Sequence, residues 1–280
     1  MTGVLFEGGS FRPVFSCGVM DALLDADIMF PYCIGVSAGA ANAASYISRQ
    51  RERNIRVIER YRNDKRYFGK RNYLHDKSIF GIDFVFREIP NYIDPFDMET
   101  FKKYDGNFVI VTTDALTGVS RYFNQNDVDD TYNVLCASCA LPIAFPAVTI
   151  DGREYYDGGL SNPIPIDKMI NDGVDKMLIV LTRPKGYVKE CNRNDRLAAG
   201  LLKSRYPKIA YGLLNRYKKY NESIKICEKL EKEGKAIIIR PKTPVSSYET
   251  DTKVMRESYE KGYKLAQKKM DEIRELFEEK

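Results

Sequence analysis

Continuous apolar runs recur along the chain and predict buried strands. They lie at residues 3–6, 32–36, 108–115, 176–184 and 236–241. Runs that do not alternate with polar residues are typical of a sheet that helices cover on both faces, because neither face of such a strand meets water. The segment 118–123, which follows a turn at Leu116 and Thr117, is predicted as another strand.

Segments with helical spacing of their apolar residues separate these runs. The predicted helices include SCGVMDALLDADI (16–28), AANAASYIS (40–48) and charged helices at about 198–233 and 252–279. The charged and aromatic stretch at about 49–91 is predicted to form helices on the surface.

Strands that alternate with helices indicate a layered α/β fold. We expect three layers, α/β/α, with a mostly parallel central sheet and additional C-terminal helices. Residues 1–280 are interpreted as one domain, because no repeat or low-complexity linker interrupts them. Its core is placed at about 1–185, and a helical and strand extension at about 186–280.

Composition narrows the class of protein. The chain has 280 residues, of which 44% are hydrophobic, enough to bury a core. Its net charge of +5 is too small to indicate a nucleic-acid-binding protein, although it favours approach to an anionic surface. The first residues do not resemble a secretion signal, and no stretch approaches the roughly 20 apolar residues of a membrane span. A cytoplasmic protein is therefore expected.

Cysteine and histidine content speaks against a metal site. The six cysteines are expected to be reduced thiols that pack as small apolar groups. Cys136 and Cys139 have CxxC spacing, but no second pair lies near them and the chain has a single histidine. A structural zinc site needs further Cys or His ligands, so no metal is predicted.

A serine crowded by glycines ends the second apolar run. Ser37 lies in GVSAG, between Gly35 and Gly39. Small residues suit a tight turn from a strand into a helix, and such a turn can also raise a serine into the open as a nucleophile. The usual base would be histidine, but His75 follows too closely to complete the Ser-acid-His order of an α/β-hydrolase. His75, in the charged stretch KRNYLHDKS, is predicted to be exposed.

A carboxylate is the alternative base. Asp157 is followed at once by Gly158 and Gly159, which place it before a sharp turn at the surface or in a cleft. An Asp-Gly pair is also common in ordinary turns, so this motif alone leaves both interpretations open. A carboxylate can accept a serine proton if its surroundings raise its pKa or hold the serine against it.

A glycine-rich loop precedes the first predicted helix and reads EGGSFRP at residues 7–13. It matches neither the dinucleotide pattern GxGxxG nor the phosphate pattern GxxxxGK(S/T), so no cofactor is predicted. Backbone N–H groups of such a loop, with a helix N-terminus behind them, can stabilise the oxyanion that forms when a nucleophile attacks a carbonyl.

The loop, GxSxG and DGG, in this order, resemble the patatin-like phospholipase family. The segments VTTDALTG (111–118) and ASCALPIAFPAV (137–148) extend the resemblance, which covers about the first 185 residues. It implies a patatin-like fold and hydrolysis of lipid acyl esters, with Ser37 as nucleophile and Asp157 as base. It also assigns an oxyanion hole to Gly9, Ser10 and Arg12, with Gly8, Gly35, Gly39, Gly158 and Gly159 as supporting residues of the motifs.

The loop departs from the glycine pattern of the family at two positions. Ser10 stands where the family has glycine, which keeps an N–H donor but restricts φ. Pro13 has no N–H and fixes φ at about −65°, a value that the first turn of a helix tolerates.

The residues favour a metal-independent serine hydrolase. The resemblance implies that it is of the phospholipase A or lysophospholipase type and acts on phospholipids or related lipid esters. The alternative is a catalytically weak lipid-binding or regulatory protein that keeps the fold, which the departures at Ser10 and Pro13 favour. A Ser-His acyltransferase would require His75 near the serine, which the predicted exposure of that residue opposes.

Two basic aromatic segments, 61–74 and 201–220, bear on membrane contact. They mix Lys and Arg with Tyr, Phe and Leu, as helices at anionic lipid surfaces do. The alternative is a solvated helix whose apolar stripe faces the core. The expected partners are a lipid or acyl-ester substrate and an anionic membrane surface, with no nucleic acid. The acyl chain, the headgroup and the oligomeric state do not follow from the sequence.

Overall fold

An eight-stranded sheet forms the centre of the structure, a computed structural model that describes residues 1–278. The strands are β1 (Thr2–Phe6), β2 (Tyr32–Val36), β3 (Asn107–Asp114), β4 (Ser120–Asn124), β5 (Val148–Ile150), β6 (Arg153–Asp157), β7 (Lys176–Val180) and β8 (Ala236–Ile239). Their order across the sheet is β5-β6-β3-β2-β1-β7-β8, and β4 also pairs with β3.

Parallel pairing runs through the middle of this sheet. β1 pairs in parallel with β2 and β7, β2 with β3, and β7 with β8. The antiparallel pairs lie at one side, where β3 meets β4 and β6, and β6 meets β5. The predicted α/β fold with a mostly parallel sheet is confirmed. The continuous apolar runs of β1, β2 and β7 are buried almost throughout, as two-sided helical cover requires.

The helices divide more finely than their periodicity predicts. The α-helices are α1 (Val14–Asp25), α2 (Ala38–Ile47), α3 (Arg53–Tyr61), α4 (Asn72–His75), α5 (Met98–Lys102), α6 (Asn133–Cys139), α7 (Ile166–Asn171), α8 (Arg193–Leu202), α9 (Pro207–Lys232), α10 (Thr252–Lys268) and α11 (Met270–Glu275), and a π-helix spans Phe84–Ile93. The predicted helix 198–233 is two helices, because Pro207 lacks an N–H and begins a new one. The predicted helix 252–279 divides at Lys269, and Glu279 lies outside the described residues.

Helix α1 packs closely against α10 from the C-terminal part of the chain. A methyl group at Gly18 would lie 1.9 Å from the carbonyl oxygen of Tyr259, and one at Gly262 would lie 2.0 Å from that of Phe15. Each helix therefore carries a glycine where the other helix crosses it. Since β8 also extends the sheet, the C-terminal third shares both a strand pairing and a helix interface with the rest.

The prediction of surface helices over 49–91 is only partly correct. Ile55, Ile58 and Phe84 are buried, and Arg62 is 2% exposed. The Arg62 guanidinium lies 4.3 Å from the centre of the Phe11 ring, and its Nε donates to the carbonyl of Glu249 at 2.6 Å. The many charged residues of this stretch led to the prediction of exposure. A short amphipathic helix nevertheless buries one face when only a few of its residues are apolar.

Candidate active site

Ser37 occupies the junction between β2 and α2. Its backbone has φ 56° and ψ −136°, a conformation that a side chain at this position makes unfavourable by about 1–2 kcal/mol. The residue is 7% exposed and lines a cavity. The predicted tight turn is therefore present and places Ser37 at the wall of a cavity, whereas its role as a nucleophile stays a prediction.

The glycines around Ser37 are required by close backbone contacts. A methyl group at Gly35 would lie 2.5 Å from the Cα of Ala40, and one at Gly39 would lie 2.4 Å from the carbonyl oxygen of Phe6. Both distances are far inside van der Waals contact. The GVSAG spacing thus allows α2 to start directly against β1 and β2.

Asp157, the last residue of β6, lies next to Ser37. The Oγ of Ser37 donates a hydrogen bond to Oδ2 of Asp157 at 2.6 Å, and the N–H of Gly159 donates to Oδ1 at 2.7 Å. A methyl group at Gly158 would lie 2.3 Å from the carbonyl oxygen of Val111, so only glycine fits after the carboxylate. The predicted serine and carboxylate are therefore brought together across 120 positions of sequence.

The environment of Asp157 suits a proton acceptor. Its side chain is almost fully buried, at 3% exposure. Burial raises its pKa to about 6, although the hydrogen bonds from Ser37 and Gly159 act in the opposite direction. The carboxyl is therefore ionised at neutral pH and more basic than an exposed aspartate, which is the condition for general-base chemistry.

Ser138 on α6 holds the backbone of Ser37, a contact that sequence reasoning missed. Its Oγ accepts the N–H of Ser37 at 2.9 Å and donates to the carbonyl of Val111 at 2.7 Å. Ser138 is fully buried. It lies in the small-residue block 137–148, whose composition drew attention but marked no single residue.

The glycine-rich loop lies directly against this turn. A methyl group at Gly8 would lie 2.8 Å from the Cβ of Ser37. Gly9 has φ 140° and Ser10 has φ 55°, so the serine that replaces a family glycine adopts the left-handed backbone region. Pro13 has φ −63° immediately before α1, which a proline favours. Of the two departures from the glycine pattern, Ser10 therefore has an unfavourable backbone conformation, whereas the conformation of Pro13 is one that proline favours.

The N–H groups of Gly9 and Ser10 are available to a ligand. Within residues 1–278, neither donates a hydrogen bond to another protein group. The Arg12 guanidinium packs over the open side of Gly9, where a methyl group would lie 2.7 Å from Arg12 Nη2. Arg12 also donates to the Oγ of Ser247. Arg12 therefore contacts the loop and lines the same cavity as Gly9 and Ser10.

Residues far along the chain hold the loop on both sides. The N–H of Phe11 donates to the carbonyl of Ser247 at 3.3 Å. On the other side, the N–H of Thr182 donates to Oε2 of Glu7 at 2.6 Å, and the Thr182 hydroxyl donates to the carbonyl of Gly8 at 3.1 Å. Burial raises the pKa of the Glu7 carboxyl. No sequence pattern marked Glu7, Thr182 or Ser247.

Two cavities of different character meet at Ser37. One, of about 170 Å³, is mostly apolar and is lined by residues such as Phe80, Phe86 and Ile89. The other, of about 550 Å³, has a mixed lining, and we call it the polar cavity because Asp157 and several charged side chains line it. Both are lined by Ser10, Ser37, Leu141, Ala144 and Tyr248. A bound ester could therefore place an apolar part and a polar part on opposite sides of the Ser37 hydroxyl.

Other sequence candidates lie away from this site. His75 is exposed at the end of α4 and lines neither cavity, as its predicted exposure implies. Cys136 and Cys139 are free thiols on α6. In the part of the chain that the structure describes, no group of three or more His, Cys, Asp or Glu side chains is arranged to hold a metal ion. None of the helices within residues 1–278 is both long and apolar enough to cross a bilayer.

Comparison with known proteins relates the chain to a family. A family model described as patatin-like phospholipase matches residues 4–170, and a model described as a domain of unknown function (DUF6363) matches residues 206–278. The chain is 27% identical to the uncharacterized protein YjjU of Escherichia coli (strain K12) over 186 residues, which are 64% of this chain and 51% of YjjU. The chain thus spans about half the length of this curated relative.

A solved structure shows the same fold. The crystal structure of VipD from Legionella pneumophila has a TM-score of 0.53 and 12% sequence identity with this chain, and the match covers 96% of this chain and 66% of that one. At this identity the likeness concerns the fold alone.

The patatin-like model covers more than half of the chain and includes the glycine-rich loop, Ser37 and Asp157. Lipid-ester hydrolysis is the general activity of the proteins that it describes. The chain therefore belongs to the patatin-like phospholipase family.

Proposed function

We propose that the protein is a serine acyl-ester hydrolase acting on phospholipids or related lipid esters, with Ser37 as nucleophile and Asp157 as general base. The observation that carries the proposal is the 2.6 Å hydrogen bond from Ser37 Oγ to Asp157 Oδ2, at the place where an apolar and a polar cavity meet. Family membership supports the lipid ester as the substrate class.

In the proposed reaction, Asp157 accepts the hydroxyl proton while Ser37 Oγ attacks the ester carbonyl carbon. The carbonyl oxygen becomes an oxyanion, which accepts hydrogen bonds from the N–H groups of Gly9 and Ser10. Asp157 then gives its proton to the departing alcohol, and an acyl-Ser37 ester remains. Water, deprotonated by Asp157, attacks this ester and releases the fatty acid, and the proton returns to Ser37.

Arg12 is proposed to position the loop and not to donate to the oxyanion. Its guanidinium contacts Gly9 and donates to the Oγ of Ser247, so the protein itself already engages it. An arginine held in this way fixes the orientation of the Gly9 and Ser10 N–H groups, because a loop with two positive φ values would otherwise sample several conformations.

The acyl chain is proposed to occupy the apolar cavity. That cavity runs from Ser37 between α2 and the segment 80–90, and its apolar lining favours a hydrocarbon chain over water. The polar cavity would then receive the alcohol part of the ester.

Peripheral contact with an anionic membrane is proposed for α8 and the start of α9. Leu197, Leu201 and Tyr211 are between 63% and 67% exposed there, and Leu197 and Leu201 line the mouth of the polar cavity. Lys203 and Lys208 are exposed in the same region. Exposed leucines flanked by lysines favour an interface with anionic lipid. The cytoplasmic location stays a prediction from the sequence.

A lipid-binding protein with weak catalysis is the second candidate. It is favoured by Ser10, whose φ of 55° would suit glycine better and stresses the proposed oxyanion loop. This candidate predicts binding of liposomes without turnover, whereas the hydrolase predicts both.

Labelling with a fluorophosphonate probe, together with hydrolysis of a short chromogenic ester, tests the assignment. Wild type should be labelled and active, Ser37→Ala should lose both properties, and Asp157→Asn should lose most of its activity. His75→Ala is the control and should keep wild-type activity, because His75 is exposed and lines neither cavity. Equal hydrolysis by wild type and Ser37→Ala would exclude Ser37 as nucleophile, and a large loss in His75→Ala would restore a histidine mechanism.

A further inference from the structure

One wall of the polar cavity is cationic and lies outside the residues that the patatin-like model matches. Arg183, Lys189 and Arg216 line this wall, whereas the model ends at residue 170. Arg12 joins them from the glycine-rich loop. Arg183 and Lys189 follow β7, and Arg216 lies on α9.

Two stacked tyrosines arrange these cations. The rings of Tyr187 and Tyr220 meet edge to face, with their centres 6.0 Å apart. The Arg183 guanidinium lies 4.5 Å from the centre of the Tyr187 ring, and Lys189 Nζ lies 5.0 Å from that of Tyr220. Cation–π contacts on two neighbouring rings thus hold both charges at the cavity wall without neutralising either.

Four carboxylates line the same cavity, and one of them, Asp195, pairs with Arg216. Asp157 accepts from Ser37, Glu7 accepts from Thr182, and Asp195 Oδ1 accepts from Arg216 at 2.5 Å, whereas the buried Asp195 Oδ2 has no partner within the described residues. Glu190 is exposed. Within residues 1–278, neither Arg183 nor Lys189 has a carboxylate oxygen within 4.0 Å, so both keep their charge for another partner.

Unpartnered polar atoms point to a missing ligand. Tyr220 is 2% exposed and lines the cavity, and its hydroxyl lies near the Glu7 carboxylate without a hydrogen bond of regular geometry within the described residues. The buried Nε atoms of Arg12 and Arg216 also have no partner there. Buried donors without a partner are costly, and an anion in the cavity would accept from donors of this kind.

The mutual repulsion of these cations also favours a bound anion in the cavity. Burial and the nearby Arg216 charge lower the pKa of Lys189 to about 8. Burial and the Arg183 charge lower the pKa of Arg12. An anion between these groups would relieve the repulsion.

We propose that Arg183, Lys189, Arg216 and the Tyr220 hydroxyl form a site for a phosphate group carried by the alcohol part of the ester. A phosphate offers several oxygens that can accept from guanidinium, ammonium and hydroxyl donors at once. The site opens on the Asp157 side of Ser37, where the proposed reaction releases the alcohol. The inference rests on the proposed function, and it assigns selection of phosphate esters over neutral esters to the C-terminal part of the chain.

The test compares two esters that differ only in the phosphate, octanoyl glycerol phosphate and octanoyl glycerol. Wild type should show the higher kcat/KM with the phosphate ester, mainly through a lower KM. In Lys189→Gln, and more so in a double variant with Arg183→Gln, the ratio of the two kcat/KM values should fall by about 10-fold or more, as expected when charge-assisted hydrogen bonds are lost. Lys189→Arg should restore part of the ratio. Lys185→Gln is the matched control, because Lys185 is exposed and does not line the cavity, and it should leave the ratio at its wild-type value.

Two further measurements separate the possible failures. Calorimetric titration of Ser37→Ala with both esters measures selectivity without turnover. If the wild type hydrolysed neither ester while Ser37→Ala still bound the phosphate ester more tightly, only the proposed reaction would be overturned. Equal affinity and equal kcat/KM for the two esters would overturn the phosphate site. Inhibition of octanoyl glycerol hydrolysis by inorganic phosphate, without any preference for the phosphate ester, would show that free phosphate binds there and would overturn its assignment to the substrate.

Discussion

The backbone N–H of Ser37 donates to the Oγ of Ser138 at 2.9 Å, and Ser138 donates in turn to the carbonyl of Val111 at 2.7 Å. This fully buried hydroxyl links the turn after β2 to strand β3. A strained turn keeps its shape only when its surroundings hold it, and Ser138 is one of the groups that do so.

Ser138→Ala should destabilise the fold and misplace the nucleophile. The change leaves the N–H of Ser37 and the carbonyl of Val111 without their partner, at a cost of about 1–3 kcal/mol in the free energy of unfolding. Urea denaturation measures this loss, and the rate of labelling by a fluorophosphonate should fall with it. The control is Ser204→Ala at an exposed position, which should change neither. Wild-type stability and labelling in Ser138→Ala would contradict the role of this bridge.

Hydrolysis should depend on the ionisation of Asp157. Because only the ionised carboxyl accepts the Ser37 proton, kcat/KM should rise with pH through about 6, the pKa to which burial raises Asp157, and then level off. Asp157→Asn should remove this step and lower kcat by about 100-fold or more. A pH profile of ester hydrolysis, corrected for the background of Ser37→Ala, measures both effects. A flat profile between pH 4.5 and 8 would contradict the assignment.

The ionised Asp157 carboxyl should lower the free energy of unfolding at neutral pH. The raised pKa means that the folded protein holds a proton between about pH 4 and 6 that the unfolded chain has already lost, so stability falls as pH rises through this window. Asp157→Asn carries no such cost and should be more stable than wild type above pH 6, by about 1–3 kcal/mol. The difference should vanish near pH 4. Urea denaturation at both pH values tests the prediction, which a pH-independent difference would refute.

Gly8→Ala should lower the activity without unfolding the protein. The added methyl group would lie 2.8 Å from the Cβ of Ser37 and 2.6 Å from the carbonyl oxygen of Val36, so the loop must move away from the nucleophile. A displacement of this size should lower kcat by about 10-fold to 100-fold. Gly200→Ala is the matched control, since a methyl group there meets no atom within 4 Å and alanine favours the helix. The circular dichroism of both variants should remain that of wild type, and equal kcat values would contradict the close approach.

Ser10 should prove to be a point of backbone strain. At a φ of 55°, glycine is more favourable than any residue with a Cβ by about 1 kcal/mol. Ser10→Gly should therefore unfold at a higher urea concentration than Ser10→Ala. Both changes remove the hydroxyl, so the difference between the two variants measures the effect of the backbone conformation on the free energy of unfolding. If the alanine variant proved the more stable, the left-handed conformation of this residue would be refuted.

The parts of the site that the sequence reveals are those with local patterns. GVSAG and YYDGG mark Ser37 and Asp157 because glycines beside a reactive side chain leave a signature within a few residues. Their proximity in space follows from β2 and β6 lying on either side of β3, an order that no local pattern specifies. Likewise, the apolar runs predict most strands, whereas the three-residue strand β5 is too short to be recognised.

The supporting contacts leave no such signature. Thr182 and Ser247 hold the glycine-rich loop from positions 174 and 235 residues along the chain, and each is a hydroxyl residue among many. The periodicity of the sequence predicts helix α10. Its close crossing of α1 depends on Gly18 and Gly262, and the sequence alone does not reveal this role, because glycine within a helix is usually destabilising. The interpretation of residues 1–280 as one domain stays a prediction.

The contact between Arg12 and Ser247 has a consequence for synthesis of the protein on the ribosome. A nascent chain that has emerged only as far as β7 already carries Ser37, Asp157 and the whole glycine-rich loop, yet it lacks the serine that contacts Arg12 of that loop. We therefore expect reactivity of Ser37 toward an ester to arise late in synthesis, once the segment around residue 247 has folded back onto the glycine-rich loop.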